Sequence, residues 1–239
     1  AGSLVVARHS AQAVRLPAGR VLIAGGTGAS GALQSVEIYD PLASTFLATD
    51  TVNDMAKMRA GLSLTDTTSD PIAAVAAGGT DGTDAHDSIE RFDWESDEFS
   101  ASAVMMQQRR TDHIGVLLGS GHILFAGGLV NGTLAATGDI YDVVNDTVDT
   151  PNGAMLLPVH SAAVSCLENG RPVIFGGYDA AGVETAQLQV FTPDGGFNYP
   201  PIAQINTPTS VEPWAFGVRF NWRATDQEGD TVKINAQFR

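Results

Sequence analysis

Two short acidic segments contain carboxylates that could bind a metal ion. In the first, Asp81, Asp84 and Asp87 are spaced by three residues, with His86 between them. Carboxylate oxygens are the ligands that hard cations such as Ca²⁺ prefer. Blocks of like charge are more often a solvated surface, and an acidic surface suits a basic partner. We predict a binding role for these three aspartates, with a cation and a protein partner both open.

The second acidic segment lies near the end of the chain, at Asp226, Glu228 and Asp230. Its carboxylates could bind calcium. Asp and Gly at these positions also fit a solvated hairpin turn, which needs no metal. Calcium is therefore the one cofactor that the sequence offers, and we otherwise predict none.

Histidines and glycines give two further candidate sites. His9, His113 and His160 fall near equivalent points of repeated segments, and three converging imidazoles could bind a transition metal. Gly26, Gly28 and Gly31 spell G-x-G-x-x-G, which in a dinucleotide fold requires a helix next. A new strand-like run begins within ten residues instead, at Val36. We interpret the glycines as a turn between strands, and the histidines as positional residues of a repeat.

Catalytic signatures are absent from the sequence. It contains no G-x-S-x-G, H-E-x-x-H or phosphate-loop motif. The single cysteine, Cys166, follows a run of small apolar residues, so we predict that it is buried. The sequence therefore predicts that the protein is not an enzyme.

A repeat of about 49 residues organises these candidates. Its marker is a glycine pair that follows a short apolar run, and such runs predict buried strands. The pairs are Gly25-Gly26, Gly78-Gly79, Gly127-Gly128 and Gly176-Gly177. Another strand is predicted before each pair, and these first strands begin at Arg8, Arg59, His113 and His160.

An aromatic residue follows each pair by 13 or 14 positions, on a predicted third strand. These residues are Tyr39, Phe92, Tyr141 and Phe191. The first three lie in an acidic–x–aromatic–Asp pattern, which the fourth has lost. A bulky residue six or seven positions later predicts a fourth strand, and no segment shows a sustained helical period. Each unit therefore predicts a four-stranded sheet that needs neighbours to cover its faces.

The glycine pairs, Tyr-Asp dipeptides and aromatic spacing resemble the kelch repeat, in its bacterial secreted form. The resemblance covers residues 1–199 and implies an all-β fold of four β-propeller blades, at about 1–50, 51–103, 104–152 and 153–199. Because kelch propellers usually have more blades, it also implies that the chain is part of a longer protein.

Residues 200–239 resemble the start of a fibronectin type III or cadherin-like β-sandwich. Pro200 and Pro201 interrupt the repeat, and two alternating runs follow, at 218–224 and 231–238. About 40 residues are too few for a complete sandwich of roughly 100. We expect a partial, sandwich-like segment here.

Charge limits the partners. The chain has 13 Lys+Arg and 27 Asp+Glu, for a formal net charge of −14. This charge disfavours binding to nucleic acid and to anionic membranes, and we predict neither. The Lys-poor, Asp-rich composition and the resemblance to secreted kelch proteins predict an extracellular or cell-surface location.

We predict an interaction or structural module that binds a protein or a glycan through the loops after the glycine pairs. Tyr178 and Asp179, after the fourth pair, join the three aspartates as candidate binding residues, and Tyr178 is the main candidate for stacking on a sugar. One alternative is a galactose-oxidase-like or sugar-isomerising kelch enzyme whose site lies in missing blades. Another is a subunit of an extracellular filament or surface assembly that pairs with copies of itself.

Overall fold

Short antiparallel β-strands make up nearly all of the regular structure in this computed structural model. The structure describes residues 2–47, 53–167, 169–192, 196–198, 202–205 and 222–225. Within these ranges the one helical element is a three-residue 3-10 turn, Pro17–Gly19. The protein is therefore all-β in its described part, as the sequence predicts.

The first two repeats each form a four-stranded sheet. Sheet 1 contains four strands in chain order and a small inserted hairpin, β3 with β4. Its strands are β1 (Gln12–Arg15), β2 (Val21–Ala24), β3 (Thr27–Gly28), β4 (Gly31–Ala32), β5 (Val36–Asp40) and β6 (Thr45–Leu47). Sheet 2 has longer strands: β7 (Ala60–Asp66), β8 (Ile72–Thr80), β9 (Ser88–Asp93) and β10 (Glu98–Met105).

The third and fourth repeats have the same topology. Sheet 3 consists of β11 (Ile114–Leu117), β12 (Ile123–Ala126), the inserted hairpin β13 (Leu129–Val130) and β14 (Thr133–Leu134), β15 (Gly138–Asp142) and β16 (Thr147–Asp149). Sheet 4 consists of β17 (Ala163–Cys166), β18 (Pro172–Phe175), β19 (Leu188–Thr192) and β20 (Gly196–Asn198). The predicted four strands per unit are confirmed.

The aromatic residues of the repeat pair across the third and fourth strands. Tyr39 is opposite Phe46 and Phe92 is opposite Phe99, with ring centroids 5.1 and 5.0 Å apart. Tyr141 is opposite Val148 in sheet 3. Such cross-strand pairs stabilise an antiparallel sheet.

Three apolar clusters lie between consecutive sheets. Sheets 1 and 2 share a core that includes Ile38 and Phe92, sheets 2 and 3 share one with Ile89 and Phe125, and sheets 3 and 4 share one with Ile174. The first strands of neighbouring sheets also contact each other, β1 with β7, β7 with β11 and β11 with β17. The four sheets therefore pack side by side in chain order.

No other sheet of the described residues covers the outer face of sheet 4. The residue before each glycine pair is Ala24, Ala77, Ala126 or Phe175, and the three alanines are at most 1% exposed, whereas Phe175 is 42% exposed. In sheet 1, Leu22 and Ala24 are buried towards sheet 2, while alternate residues of β2 are half-buried. Sheets 2 and 3 are thus covered on both faces, and the two end sheets on one.

Two of the predicted first strands begin later than expected. The sequence predicts starts at Arg8 and His160, but β1 begins at Gln12 and β17 at Ala163. Ser10 and Ser161 both have φ of 53°, in the left-handed region, which interrupts an extended strand.

The tail contributes one described strand pair. β21 (Ile202–Ile205) pairs antiparallel with β22 (Trp222–Thr225), which overlaps the first predicted tail run. The second run, at 231–238, lies outside the described residues, as do Asp226, Glu228 and Asp230. The sandwich-like segment and its calcium site stay predictions.

Candidate functional site

The loops after the glycine pairs all lie at one end of their sheets. Each connects the second strand of the four-stranded sheet to the third. Each begins with a residue bridged to the segment just before the first strand or, in sheet 2, to the first residue of that strand. The bridges are His9 with Thr27, Ala60 with Thr80, Thr111 with Leu129 and His160 with Tyr178. We call these four loops, residues 27–32, 80–86, 129–134 and 178–184, the hairpin surface. Gly28 and Gly31 belong to the first of them and Gly26 directly precedes it, so the predicted turn between strands is confirmed.

A repeated backbone hydrogen bond fixes each loop to the next sheet. The second glycine of a pair donates its N–H to a carbonyl at the start of the following repeat. Gly26 donates to Arg59, Gly79 to Arg110 and Gly128 to Val159, each at 2.9 Å. The hairpin surface is therefore held by the same contacts that hold neighbouring sheets together.

Three buried arginine–carboxylate pairs lie beneath this surface. Arg8 pairs with Glu37, Arg59 with Glu90 and Arg110 with Asp139, each at 2.8 Å, and all six side chains are at most 3% exposed. Each guanidinium also donates to the carbonyl oxygen of the first glycine in its own repeat. The arginine thus links the glycine turn to the third strand.

Backbone amides complete each pair on its acidic side. Glu37 accepts the N–H groups of Val5 and Val6, Glu90 that of Ala56, and Asp139 that of Gln107. Buried charges persist only when paired and hydrogen-bonded, and these pairs meet both conditions. Burial lowers the pKa of the Arg59 guanidinium, while Glu90 opposes this effect. The repeated acids act as structural anchors.

Sheet 4 lacks both charges of the pair. Val159 occupies the arginine position and Gln189 the acidic one, and the Gln189 side chain accepts the Leu157 N–H at 3.1 Å and donates to the Leu157 carbonyl. Sheet 4 therefore keeps the hydrogen bonds between this third-strand side chain and the backbone, although neither charge of the pair is present. Sequence analysis noted the lost acid but missed the arginine. The signal was available, because Arg8 and Arg110 both precede their glycine by 17 residues.

The aspartate after each aromatic residue stabilises a tight turn. One carboxylate oxygen of Asp40, Asp93 and Asp142 accepts two successive backbone N–H groups, two and three residues ahead. This Asx-type hydrogen bonding shapes the connection to the fourth strand. Both acidic positions of the repeat are therefore explained by folding.

Four of the predicted binding residues, Asp81, Asp84, Tyr178 and Asp179, lie in the hairpin surface, and Asp87 directly follows its second loop. Asp81 accepts the N–H groups of Thr83 and Asp84, both at 2.8 Å, and these hydrogen bonds lower the pKa of its carboxyl group. Asp87 lies 3.6 Å from Arg109. Among the described residues, no three His, Cys, Asp or Glu side chains are grouped to hold a metal ion.

The fourth hairpin repeats the arrangement of the second. Asp179 accepts the N–H groups of Ala181 and Val183, as Asp81 does in its own turn. Tyr178 stacks on His160, with ring centroids 5.3 Å apart. The tyrosine is 37% exposed, so the stacked pair presents part of an aromatic surface to solvent.

The three histidines are not equivalent. His9 and His160 occupy the bridged position, which Thr111 fills in repeat 3, so the predicted alignment of His113 is wrong by two residues. His9 and His160 contact the hydroxyl groups of Ser10 and Ser161. His113 is buried, with its Nε2 3.0 Å from the Ser63 hydroxyl and its ring against Phe125.

Acidification is expected to destabilise the protein through His113. Burial, with Arg110 and Arg59 nearby, lowers its pKa to about 3. Between this value and about 6.5 the unfolded chain binds a proton that the folded protein excludes. The free energy of unfolding therefore decreases as the pH is lowered, by up to about 1.4 kcal/mol per pH unit. In urea unfolding between pH 7 and pH 4, His113→Gln should lose less stability than the wild type. His9→Gln, which removes an exposed histidine, is the control, and equal slopes for wild type and His113→Gln would contradict the prediction.

The prediction that Cys166 is buried is wrong. The residue is exposed at the last position of β17, where its thiol donates to the Leu117 carbonyl at 3.1 Å. In the part of the chain that the structure describes, sheet 4 is the last of the four, so β17 has a neighbouring sheet on one face only. Desolvation and the nearby Asp66 raise the pKa of the thiol.

Comparisons with known proteins found no match, either among protein-family models or among curated proteins. In the described ranges, no helix is long and apolar enough to cross a membrane.

Proposed function

We propose that the four sheets are blades of a kelch-like β-propeller and that this part of the protein is a non-catalytic, extracellular interaction module. The module binds a protein partner through the hairpin surface. The observation that carries the proposal is the equivalent placement of four loops at one end of four sheets, with hydrogen bonds between neighbours.

The packing of the first strands supports the propeller. In a propeller, the first strands of successive blades lie side by side around a central axis. Here the first strands of neighbouring sheets contact each other, and hydrogen bonds link the residues that precede or interrupt them. Asp112 donates its N–H to the Gly61 carbonyl and Ser161 to that of Asp112, both at 2.8 Å.

The exposed residues of the loops support a binding role. Their tips carry different side chains, such as Ser30, Thr83, Asn131 and Ala181, in hairpins that recur at the same place in each sheet. A rigid scaffold that presents variable loops is a common basis for recognition. Asp81 and Asp84 make the second hairpin acidic, and the net charge is −14, which suits a basic partner.

The hydrogen bonds and ion pairs of the acidic and aromatic residues that recur in the repeat support a non-catalytic role. The three buried carboxylates of the described residues are paired with arginine. The aspartates of the turns accept backbone N–H groups. The Tyr141 hydroxyl donates to Asp146 at 2.7 Å, and burial raises its pKa, which disfavours the phenolate that a metal-binding tyrosine would supply.

A matched pair of variants tests the proposal. Thr83→Arg places a large cation on the exposed tip of the second hairpin, and Thr68→Arg makes the same change on an exposed loop at the opposite end of sheet 2. The immobilised chain is exposed to surface and secreted proteins from its source, and captured proteins are identified by mass spectrometry. A true partner should lose at least about tenfold in affinity with Thr83→Arg and little with Thr68→Arg. A partner that is affected equally by both variants, or by neither, would contradict binding at the hairpin surface.

A further inference from the structure

Two cavities lie at the end of the sheets opposite the hairpin surface. There the connections between first and second strands meet the turns between third and fourth strands. The first cavity, of 370 Å³, lies between sheets 1 and 2, and the second, of 540 Å³, lies between sheets 2 and 3. Both volumes fall in the range of small-ligand sites, about 300–1,000 Å³.

The two cavities share one wall. Thr68, Ser69 and Asp70, in the connection between β7 and β8, line both of them. Equivalent connections form the outer walls, with Arg15 and Pro17 in the first cavity and Ser120 and His122 in the second. The repeat of the fold thus produces two adjacent, equivalent cavities.

Trp94 gives the first cavity an oriented aromatic wall. Its indole N–H donates to Asp70 at 2.9 Å, and its backbone carbonyl accepts a hydrogen bond from Arg20 at 2.9 Å. The ring packs partly against the core between sheets 1 and 2, so it is half-buried and fixed. A held aromatic ring with a carboxylate beside it combines an apolar face with a hydrogen-bond acceptor.

The second cavity is almost wholly polar. Val144 is the one larger apolar side chain among its lining residues, which otherwise offer hydroxyl, carboxylate, amide and imidazole groups. Asn145 donates to Asp142 at 2.7 Å, and the His122 Nε2 lies 3.5 Å from the same carboxylate. These contacts pre-organise the polar groups of the wall.

The chemistry of the walls identifies the ligand class. Asp66 and Asp70 in the first cavity, and Asp70 and Asp142 in the second, disfavour an anion. Nowhere in the described ranges are three His, Cys, Asp or Glu side chains grouped to hold a metal ion, so the walls do not favour a metal cation either. A peptide would need apolar pockets or an open strand edge, which the polar second cavity does not provide. A neutral polyhydroxylated ligand fits, because its C–H face can pack on Trp94 and its hydroxyl groups can bond to Asp70, Thr68 and Ser69.

We propose that the two cavities form a binding site for a neutral oligosaccharide, with one part of the chain against Trp94 and the next part beyond the shared wall. A ligand built of repeated sugar units matches two equivalent cavities placed side by side. This site is separate from the hairpin surface, so the two proposals can fail independently.

Binding of defined sugars to the purified chain tests the site. Neutral gluco-, xylo- and chito-oligosaccharides of four to six units are titrated into the purified chain by calorimetry. In parallel, peptides that bind the chain are selected from a random library, as a test of the competing ligand class. Thr68→Arg fills the shared wall and should weaken oligosaccharide binding at least tenfold. Thr83→Arg, the same substitution on the hairpin surface, should leave it unchanged. Trp94→Ala should also weaken binding, and circular dichroism establishes whether each variant is folded.

The length of the sugar gives a second readout. A ligand that spans both cavities should bind at least tenfold more tightly than its monosaccharide, and this difference should disappear in Thr68→Arg. Failure of every neutral oligosaccharide to bind at millimolar concentration would overturn the proposal. So would binding that is insensitive to Thr68→Arg, or selection of peptides in place of sugars at the same loop.

Discussion

Replacing Arg59 by valine is expected to lower the free energy of unfolding by about 3–5 kcal/mol. The substitution leaves the Glu90 carboxylate buried without its cation, and it removes the guanidinium hydrogen bonds to the Gly78 and Ser88 carbonyls. An uncompensated buried charge costs far more than the loss of one neutral hydrogen bond. Urea unfolding of the wild type and the variant at pH 7 measures the difference.

Sheet 4 supplies the design of the control. Val159 and Gln189 occupy the equivalent positions there, and the glutamine keeps its bond to the backbone without any charge. The double variant Arg59→Val, Glu90→Gln copies this arrangement. It should be more stable than Arg59→Val alone, by about 2 kcal/mol or more, because the second substitution removes the unpaired charge. The single variant Glu90→Gln completes the comparison. If the loss of stability in the double variant equals the sum of the losses in Arg59→Val and Glu90→Gln, the two side chains are not coupled and the anchoring role of the pair is wrong.

Substitution of Gly78 by alanine is the second change with a large expected effect. Gly78 has φ of 60°, and a β-carbon there would lie 2.6 Å from the Arg110 carbonyl oxygen, in the next repeat. The variant therefore combines left-handed backbone strain, about 1–2 kcal/mol, with forced separation of sheets 2 and 3. Overpacking of this kind typically costs a further ~1–3 kcal/mol.

Gly176→Ala separates these two contributions. Gly176 has φ of 68°, but among the described residues the nearest atom to its added β-carbon is the Thr185 carbonyl oxygen at 3.8 Å, in its own repeat. This variant should show the backbone strain alone, and so should be less destabilised than Gly78→Ala by about 1–3 kcal/mol in the same urea titrations. Equal losses would mean that the first glycine is required by its conformation only, and not by the neighbouring sheet.

The strands could be predicted because their signals are local. A glycine pair after an apolar run marks the end of a strand, and the spacing of Tyr39 and Phe46 identifies two paired strands without knowledge of the rest of the fold. The arginine pairs were missed because Arg59 and Glu90 are 31 residues apart. A cation in one segment does not reveal which carboxylate it meets until the sheets are folded.

The histidine alignment failed for a related reason. His9 and His160 are in register with Thr111, and matching residue types placed His113 there instead. The hydrogen-bond register, which is not visible in the sequence, decides which positions are equivalent. The cavities were likewise unpredictable, since each combines loops from separate segments whose proximity depends on packing between sheets, and the first adds Trp94 to two such loops.

The uncovered Phe175 gives the stack of sheets a direction. In sheets 1, 2 and 3, the residue before the glycine pair lies on the face that packs against the next sheet, which we call the trailing face, and the opposite face is the leading face. Each internal contact joins a trailing face to a leading face, so the two ends of the stack are different surfaces. Gly177, whose counterparts Gly26, Gly79 and Gly128 donate to the next repeat, has no such acceptor among the described residues. A sheet that covers Phe175 by the same contact must approach with its leading face. Any sheet that covers Phe175 through this contact is therefore joined head-to-tail, because a two-fold symmetric pairing of two such ends cannot reproduce the contact that joins the repeats.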